Sequence, residues 1–331
     1  MAPRRYGKTS LLRALGARAE ELGLIAVYVN FFGVVTAADI GERIELAYEQ
    51  QLCGPLARWF DGVRATLRLA GPVPASIELT DARAQQPLLE RLALPRRLFE
   101  KHGKRCLIAF DEFQDTLTAH ARIDAVIRSE IEQHGDAASY VFAGSQVGMM
   151  RALFTSKRRA FFAQARAVDL GPLDPSEIAR FVEQRFLATS KRVGTALKPL
   201  LAFSDGHPQR AMLLAHFVWE ATAPRGEATE QTWGSALERV LLVEAAEELR
   251  GAWSSLQGGE RRALLAIATG QPPYARSTQR QVGGSRGGGM EHAIRSLLDA
   301  GDLVEDRGSN TGYRLADPLL AHWIREGRTG R

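Results

Sequence analysis

Short, unbroken apolar runs punctuate the first half of the chain: residues 24–30 (LIAVYVN), 105–110 (RCLIAF), 140–144 (YVFAG) and 167–170 (AVDL). Runs of this length without polar alternation are the mark of strands buried on both faces, as in a parallel sheet. Segments of helical pattern separate them. The first runs from Thr9 to about Glu21, and Thr36 is placed to cap a second through Leu52. A third covers Pro55 to Arg68, and residues 81–102 read as helical with Pro87 and Pro95 interrupting or starting segments. Another follows from Ile123 to His134, while Gly71-Pro72-Val73-Pro74 breaks the chain ahead of an edge strand or hairpin arm at residues 75–79. Strands alternating with helices predict an α/β sheet.

From Asp174 onward the pattern is helical only, over residues 175–188, 194–203, 208–222 and 230–255. A third region begins at Gly258. It holds a helix at 261–269, a Gly/Ser/Arg-rich loop at 279–289, a helix at 290–300, a hairpin within 302–315 and a closing helix at 318–325. The expected division is therefore 1–172 for the α/β part, 173–255 for a helical part and 256–331 for the last. No repeat at solenoid spacing is present.

Composition changes this picture little. A chain of 331 residues with 45% hydrophobic and 24% charged residues can bury a sizeable core. The net charge of +5 permits contact with nucleic acid without demanding it. Cys53 and Cys106 form no paired motif, the histidines have no ligand spacing, and no apolar run reaches the roughly 18 residues of a membrane helix. A cytoplasmic location with no membrane contact is the expectation.

The chemistry begins at the start of the chain. In Ala2-Pro3-Arg4-Arg5-Tyr6-Gly7-Lys8-Thr9-Ser10, Gly7, Lys8 and Thr9 match the end of a phosphate-binding loop. Loop N–H groups cradle phosphates there, the lysine reaches the β/γ oxygens, and the next hydroxyl binds Mg²⁺. The helix that follows points its positive end at the same anion. Arg5, Tyr6, Gly7, Lys8, Thr9 and Ser10 are thus the candidate nucleotide contacts. Ala2 stands where the motif's first glycine belongs, and the strand that normally leads into such a loop is not encoded ahead of it. The expectation is an N-terminally clipped member of its class, with a slot left open in the sheet.

Support comes from residues 107–112 (LIAFDE), an apolar strand ending in two carboxylates. Asp111 is the expected Mg²⁺ partner beside Thr9, and Glu112 the general base for an attacking water. Ser145, at the tip of the next strand, is read either as a residue between the acidic pair and the γ-phosphate or as a helix cap, with Gln146 second. Arg166 is a candidate for stabilising γ-phosphate charge on a neighbouring subunit, and Arg210 for reporting that phosphate from the helical region.

Taken together, P-R-R-Y-G-K-T-S-L-L, L-I-A-F-D-E-F-Q-D, F-A-G-S-Q and Y-R-L-A-D-P-L-L-A-H-W-I resemble the archaeal-type ATPase family of the AAA+/STAND branch of phosphate-loop NTPases. The resemblance spans nearly the whole chain. It implies a nucleotide-binding α/β domain, a helical lid and a C-terminal winged helix. It also matches Lys8 and Thr9 to the phosphate loop, Asp111 and Glu112 to the acidic pair, and Gly206-His207-Pro208 to the lid turn. The implied function is an ATP-binding, Mg²⁺-dependent ATPase whose nucleotide state moves the lid and the winged helix. The implied partners are DNA or a protein at the winged helix, and further copies of the chain. The alternative is a DNA-binding regulator that keeps ATP as a structural ligand. Its recognition helix would be residues 290–300, with Arg276, Arg280 and Arg286 ahead of it as the basic surface.

Overall fold

The computed structural model describes residues 3–69, 71–73, 82–120, 122–281 and 289–328. These form two compact units, Lys8–Asp169 and Leu170–Arg331, with Ala2–Gly7 belonging to the second.

In the first unit, α1 (Lys8–Glu21) leads to β1 (Ile25–Asn30), then α2 (Ala37–Gln51), α3 (Gly54–Leu69), α4 (Ala82–Leu92) and α5 (Leu94–His102). Next come β2 (Cys106–Asp111), a 3₁₀ turn at Phe113–Asp115, α6 (Thr116–Ala119), α7 (Ile123–Ile131), β3 (Ala138–Phe142) and α8 (Val147–Thr155). The strands form one parallel sheet in the order β1-β2-β3, with Asn30 opposite Asp111 and Phe110 opposite Phe142. Its core joins Val27, Val29, Ile108 and Phe110 of the sheet to Ile40 and Ile44 of α2 and Leu88 of α4. The helices start and stop where the side chains dictate. Thr36 caps α2 in a reciprocal box with Asp39, whose carboxylate accepts the Thr36 N–H at 2.8 Å. Pro95 opens α5, and Gly103 closes it in the left-handed conformation at φ 64°.

One expectation changes here. Residues 167–170 form no strand; they run as irregular, largely exposed chain, with Val168 59% exposed. A parallel strand exists only through a neighbouring ladder, and all three strands of the observed sheet are consecutive. Among the described residues β3 ends the sheet, and the fourth apolar run has no ladder to join. The expected strand at 75–79 lies outside the described residues.

The second unit carries α9 (Pro175–Leu187), α10 (Leu197–Ser204), α11 (Pro208–Ala221) and α12 (Glu230–Arg239). A π segment, Val240–Glu244, connects α12 to α13 (Ala246–Ser255), so the long predicted helix is interrupted. Beyond it lie α14 (Gly258–Ala268), α15 (Arg276–Gln281), α16 (Gly289–Ala300), the antiparallel hairpin β4 (Leu303–Glu305) and β5 (Tyr313–Leu315), and α17 (Pro318–Arg325). One continuous hydrophobic core, from Ile178 to Ile324, serves all of them except α15. Arg276 is exposed at the start of α15, whereas Arg286 and the side chain of Arg280 lie outside the described residues. No helix among the described residues is long and apolar enough to cross a membrane.

Candidate nucleotide site

β2 is the middle strand, and its last residue, Asp111, is 2% exposed. A buried carboxylate must be hydrogen-bonded, and this one is satisfied on both oxygens. Oδ2 accepts from Thr9 Oγ at 2.9 Å and from the Tyr28 hydroxyl at 2.7 Å, while Oδ1 accepts the Glu112 N–H at 3.0 Å. Thr9 comes from the first turn of α1 and Tyr28 from β1, so three elements converge on one side chain. Burial and the Asp111 carboxylate together push the Tyr28 hydroxyl pKa well above its ordinary value, which keeps it a donor. Lys8, the first residue of α1, is also buried. Among the described residues no cluster of three or more His, Cys, Asp or Glu could hold a metal on its own. Mg²⁺ suits this donor set nonetheless, since it keeps several waters and is bound by one or two carboxylates together with substrate phosphates.

Glu112 adopts the left-handed backbone conformation at φ 51°, ψ 41°, a choice costing about 1–3 kcal/mol for a residue with a side chain. The residue is over-determined by its contacts. Its Oε2 accepts from Gln114 Nε2 at 2.7 Å, from Ser145 N–H at 3.0 Å and from Ser145 Oγ at 2.7 Å. Burial pushes the Glu112 carboxyl up, but the hydrogen bonds from Gln114 and Ser145, with the charge of Lys8, hold it below the usual carboxylate value. Of the two readings of Ser145, its hydroxyl goes to Glu112. The residue at the cap of α8 is Gln146, and it makes no side-chain capping bond. Gly144 precedes them for a steric reason, because a Cβ there would lie 2.0 Å from Gln114 Oε1 and 2.7 Å from Met150 Cγ.

The structure thus brings together Lys8, Thr9, Asp111, Glu112 and Ser145, while Ser10 is exposed on α1 and Arg166 is exposed on irregular chain. In the second unit, Arg5 pairs with Glu248, and the Tyr6 hydroxyl donates to the Ala316 carbonyl at 3.2 Å with its ring 4.8 Å from that of His207. Gly7 has φ 81°, which glycine adopts freely. Arg210 is fully buried and paired with both Asp317 and Glu248. Burial works against its charge, and the two carboxylates outweigh that and raise its pKa. Asp317 answers in kind: burial alone would raise its carboxyl, and Arg210 holds it down. Tyr28, Gln114, Glu248 and Asp317 are the residues that the sequence motifs did not single out. Asp317 alone had a signal, as the acid before Pro318 at a helix start.

A parallel sheet whose central strand ends in Asp-Glu, meeting a Lys-Thr pair at the start of a helix, is the architecture of a phosphate-loop nucleotide-binding protein. Solved structures agree on the fold. The Walker-type ATPase PABY2304 of Pyrococcus abyssi is 19% identical, with 98% of this chain and 89% of that chain covered and a TM-score of 0.68. The ORC2 protein of Aeropyrum pernix, in its ADPNP–ADP complexes, is 17% identical, with 99% and 87% covered and a TM-score of 0.58. No family model matches the chain, and no curated protein matches it. At these identities the likeness establishes the fold alone: an α/β unit followed by a helical region and a C-terminal domain, as in the archaeal Walker-type and ORC2 proteins. The resemblance read from the motifs agrees with it.

Proposed function

We propose that this chain binds ATP with Mg²⁺ and hydrolyses it, using the energy of binding to move its helical lid and winged helix. One observation carries the reading: the Thr9 hydroxyl and the Asp111 carboxylate, 102 residues apart in the chain, meet at 2.9 Å. Lys8 would reach the β/γ-phosphates, with the N–H groups of residues 5–10 around them. Mg²⁺, when bound, supplies charge neutralisation between the phosphates. Thr9 would hold it directly and Asp111 through water. Glu112 would accept the proton of the attacking water, with Ser145 fixing its carboxylate. The ADPNP–ADP state of the A. pernix ORC2 protein supports a nucleotide ligand for this fold. Arg166 would act on the site of a second copy, and the reading carries a cytoplasmic location. The winged helix would contact DNA or a protein.

The test is titration calorimetry of ATP with and without Mg²⁺, paired with phosphate release. Lys8→Ala should lose at least tenfold in ATP affinity, since no other ammonium is supplied by the motif. Glu112→Gln should keep ATP but release phosphate roughly 10²–10⁴-fold more slowly. Equal affinity for Lys8→Ala and the parent would overturn the nucleotide assignment. ATP binding without phosphate release by the parent would leave the regulator that holds ATP as a structural ligand.

A further inference from the structure

We propose that Gln114 is a positioning residue for Glu112, fixing the carboxylate that receives the proton of the attacking water. The inference rests on the reading of Glu112 as the base and extends it to a neighbour outside the acidic pair. Gln114 sits on the 3₁₀ turn after β2 and is 1% exposed. Its Nε2 donates to Glu112 Oε2 at 2.7 Å and to Asp115 Oδ1 at 2.9 Å. Two acceptors on one side settle which end of the amide faces them, because ionised carboxylates only accept. Asp115 is anchored in turn, its Oδ2 accepting the Gly33 N–H at 3.0 Å from the loop beyond β1. The amide is therefore tied to the chain after β1 through Asp115 and pressed against the chain after β3 through Gly144.

The cost of the arrangement argues that it serves more than packing. Gln114 Oε1 is buried without a hydrogen-bond partner among the described residues, and an apolar side chain would avoid that penalty. Gly144 gives up any side chain to let Oε1 approach. What the amide supplies in return is one of three donors converging on a single oxygen of Glu112, the other two coming from Ser145. Glu112 itself has a left-handed backbone, so no regular element sets its rotamer. Donors from two separate segments orient it instead.

The experiment is a double-mutant cycle in the full chain. Gln114→Met keeps the length of the side chain and removes its donors. It should lower single-turnover hydrolysis about tenfold or more while leaving the calorimetric Kd for ATP within about twofold. In the Glu112→Gln background the same change should produce no further loss, because a residue that acts through Glu112 has nothing left to position. Equal proportional losses in both backgrounds, or undiminished hydrolysis by Gln114→Met, overturn the positioning role. If Gln114→Met fails to fold, Gly144→Ala displaces the amide from the other side and takes its place in the same cycle. Undiminished hydrolysis by Glu112→Gln alone rejects the base itself and the positioning role with it, an outcome distinct from additive losses on an inactive Glu112→Gln protein.

Discussion

Tyr28 is a polar hydroxyl in an otherwise apolar strand, and it donates to the same Asp111 oxygen that Thr9 uses. In the sequence it reads as one more buried strand residue, since tyrosine favours strands and the run around it is continuous. Only the β1–β2 register, Tyr28 opposite Ala109 and Asn30 opposite Asp111, brings its ring to the acidic tip. Tyr28→Phe deletes one hydroxyl and leaves Asp111 Oδ2 held by Thr9 alone. A hydrogen bond to a charged group contributes about 1.5–3 kcal/mol. Part of that loss should appear as a several-fold rise in the Mg²⁺ concentration giving half-maximal ATP binding, with binding in EDTA unchanged. An unaltered Mg²⁺ midpoint would show that Tyr28 only fills space.

At the scale of elements, α17 illustrates how one residue serves two purposes. Asp317 caps the helix, its Oδ1 accepting the Leu319 N–H at 2.9 Å, and it also receives the Arg210 guanidinium, with Nε 3.0 Å from Oδ1. The helix start was legible from Asp317-Pro318, because capping and proline at the first turn are local effects. The ion pair was not, since Arg210 and Asp317 are 107 residues apart. Asp317→Ala removes a cap, at about 1 kcal/mol, and strips a partner from a buried guanidinium, at about 3–5 kcal/mol. The unit's thermal midpoint should fall by about 10 °C, measured by calorimetry at neutral pH. Asp317→Asn, which keeps a capping oxygen and loses the charge, separates the two contributions. A fall of only a few degrees for Asp317→Ala would mean that Glu248 suffices for Arg210.

Across the molecule, each unit buries a histidine whose pKa falls to about 4: His134 in the first and His207 in the second. Burial is the main cause in both, aided by the charge of Arg96 for His134; for His207, Asp317 opposes it while Arg210 adds to it. Above the ordinary value of about 6.5 neither folded nor unfolded histidine is charged, and stability is whole. As pH falls from there toward 4 the unfolded chain takes up protons that the folded chain refuses, so stability declines. Each histidine contributes about 1.4 kcal/mol of loss per pH unit in that window, or about 2 kcal/mol at pH 5. Thermal scans at pH 7 and pH 5 should show both units destabilised, and His134→Gln should flatten the dependence of the first unit alone. A pH-independent midpoint over this range would mean that the histidines charge without unfolding.

What the sequence determined by itself is the set of features governed by neighbours along the chain. Continuous apolar runs set β1, β2 and β3, Thr36 and Asp317 set helix starts, and Lys8-Thr9 and Asp111-Glu112 sit at element ends where side chains meet an anion. The tertiary structure decided everything that depends on register and distance. It joined Tyr28 to Asp111, set Gln114 between Glu112 and Asp115 against Gly144, and buried Arg210 on Asp317. It also left residues 167–170, a shorter run broken by Asp169, without a ladder. The reason is the same in each case. A cap or a periodic face is satisfied by residues one to four positions away, whereas a strand, a buried carboxylate or a buried guanidinium is satisfied only by a partner that folding brings from far along the chain.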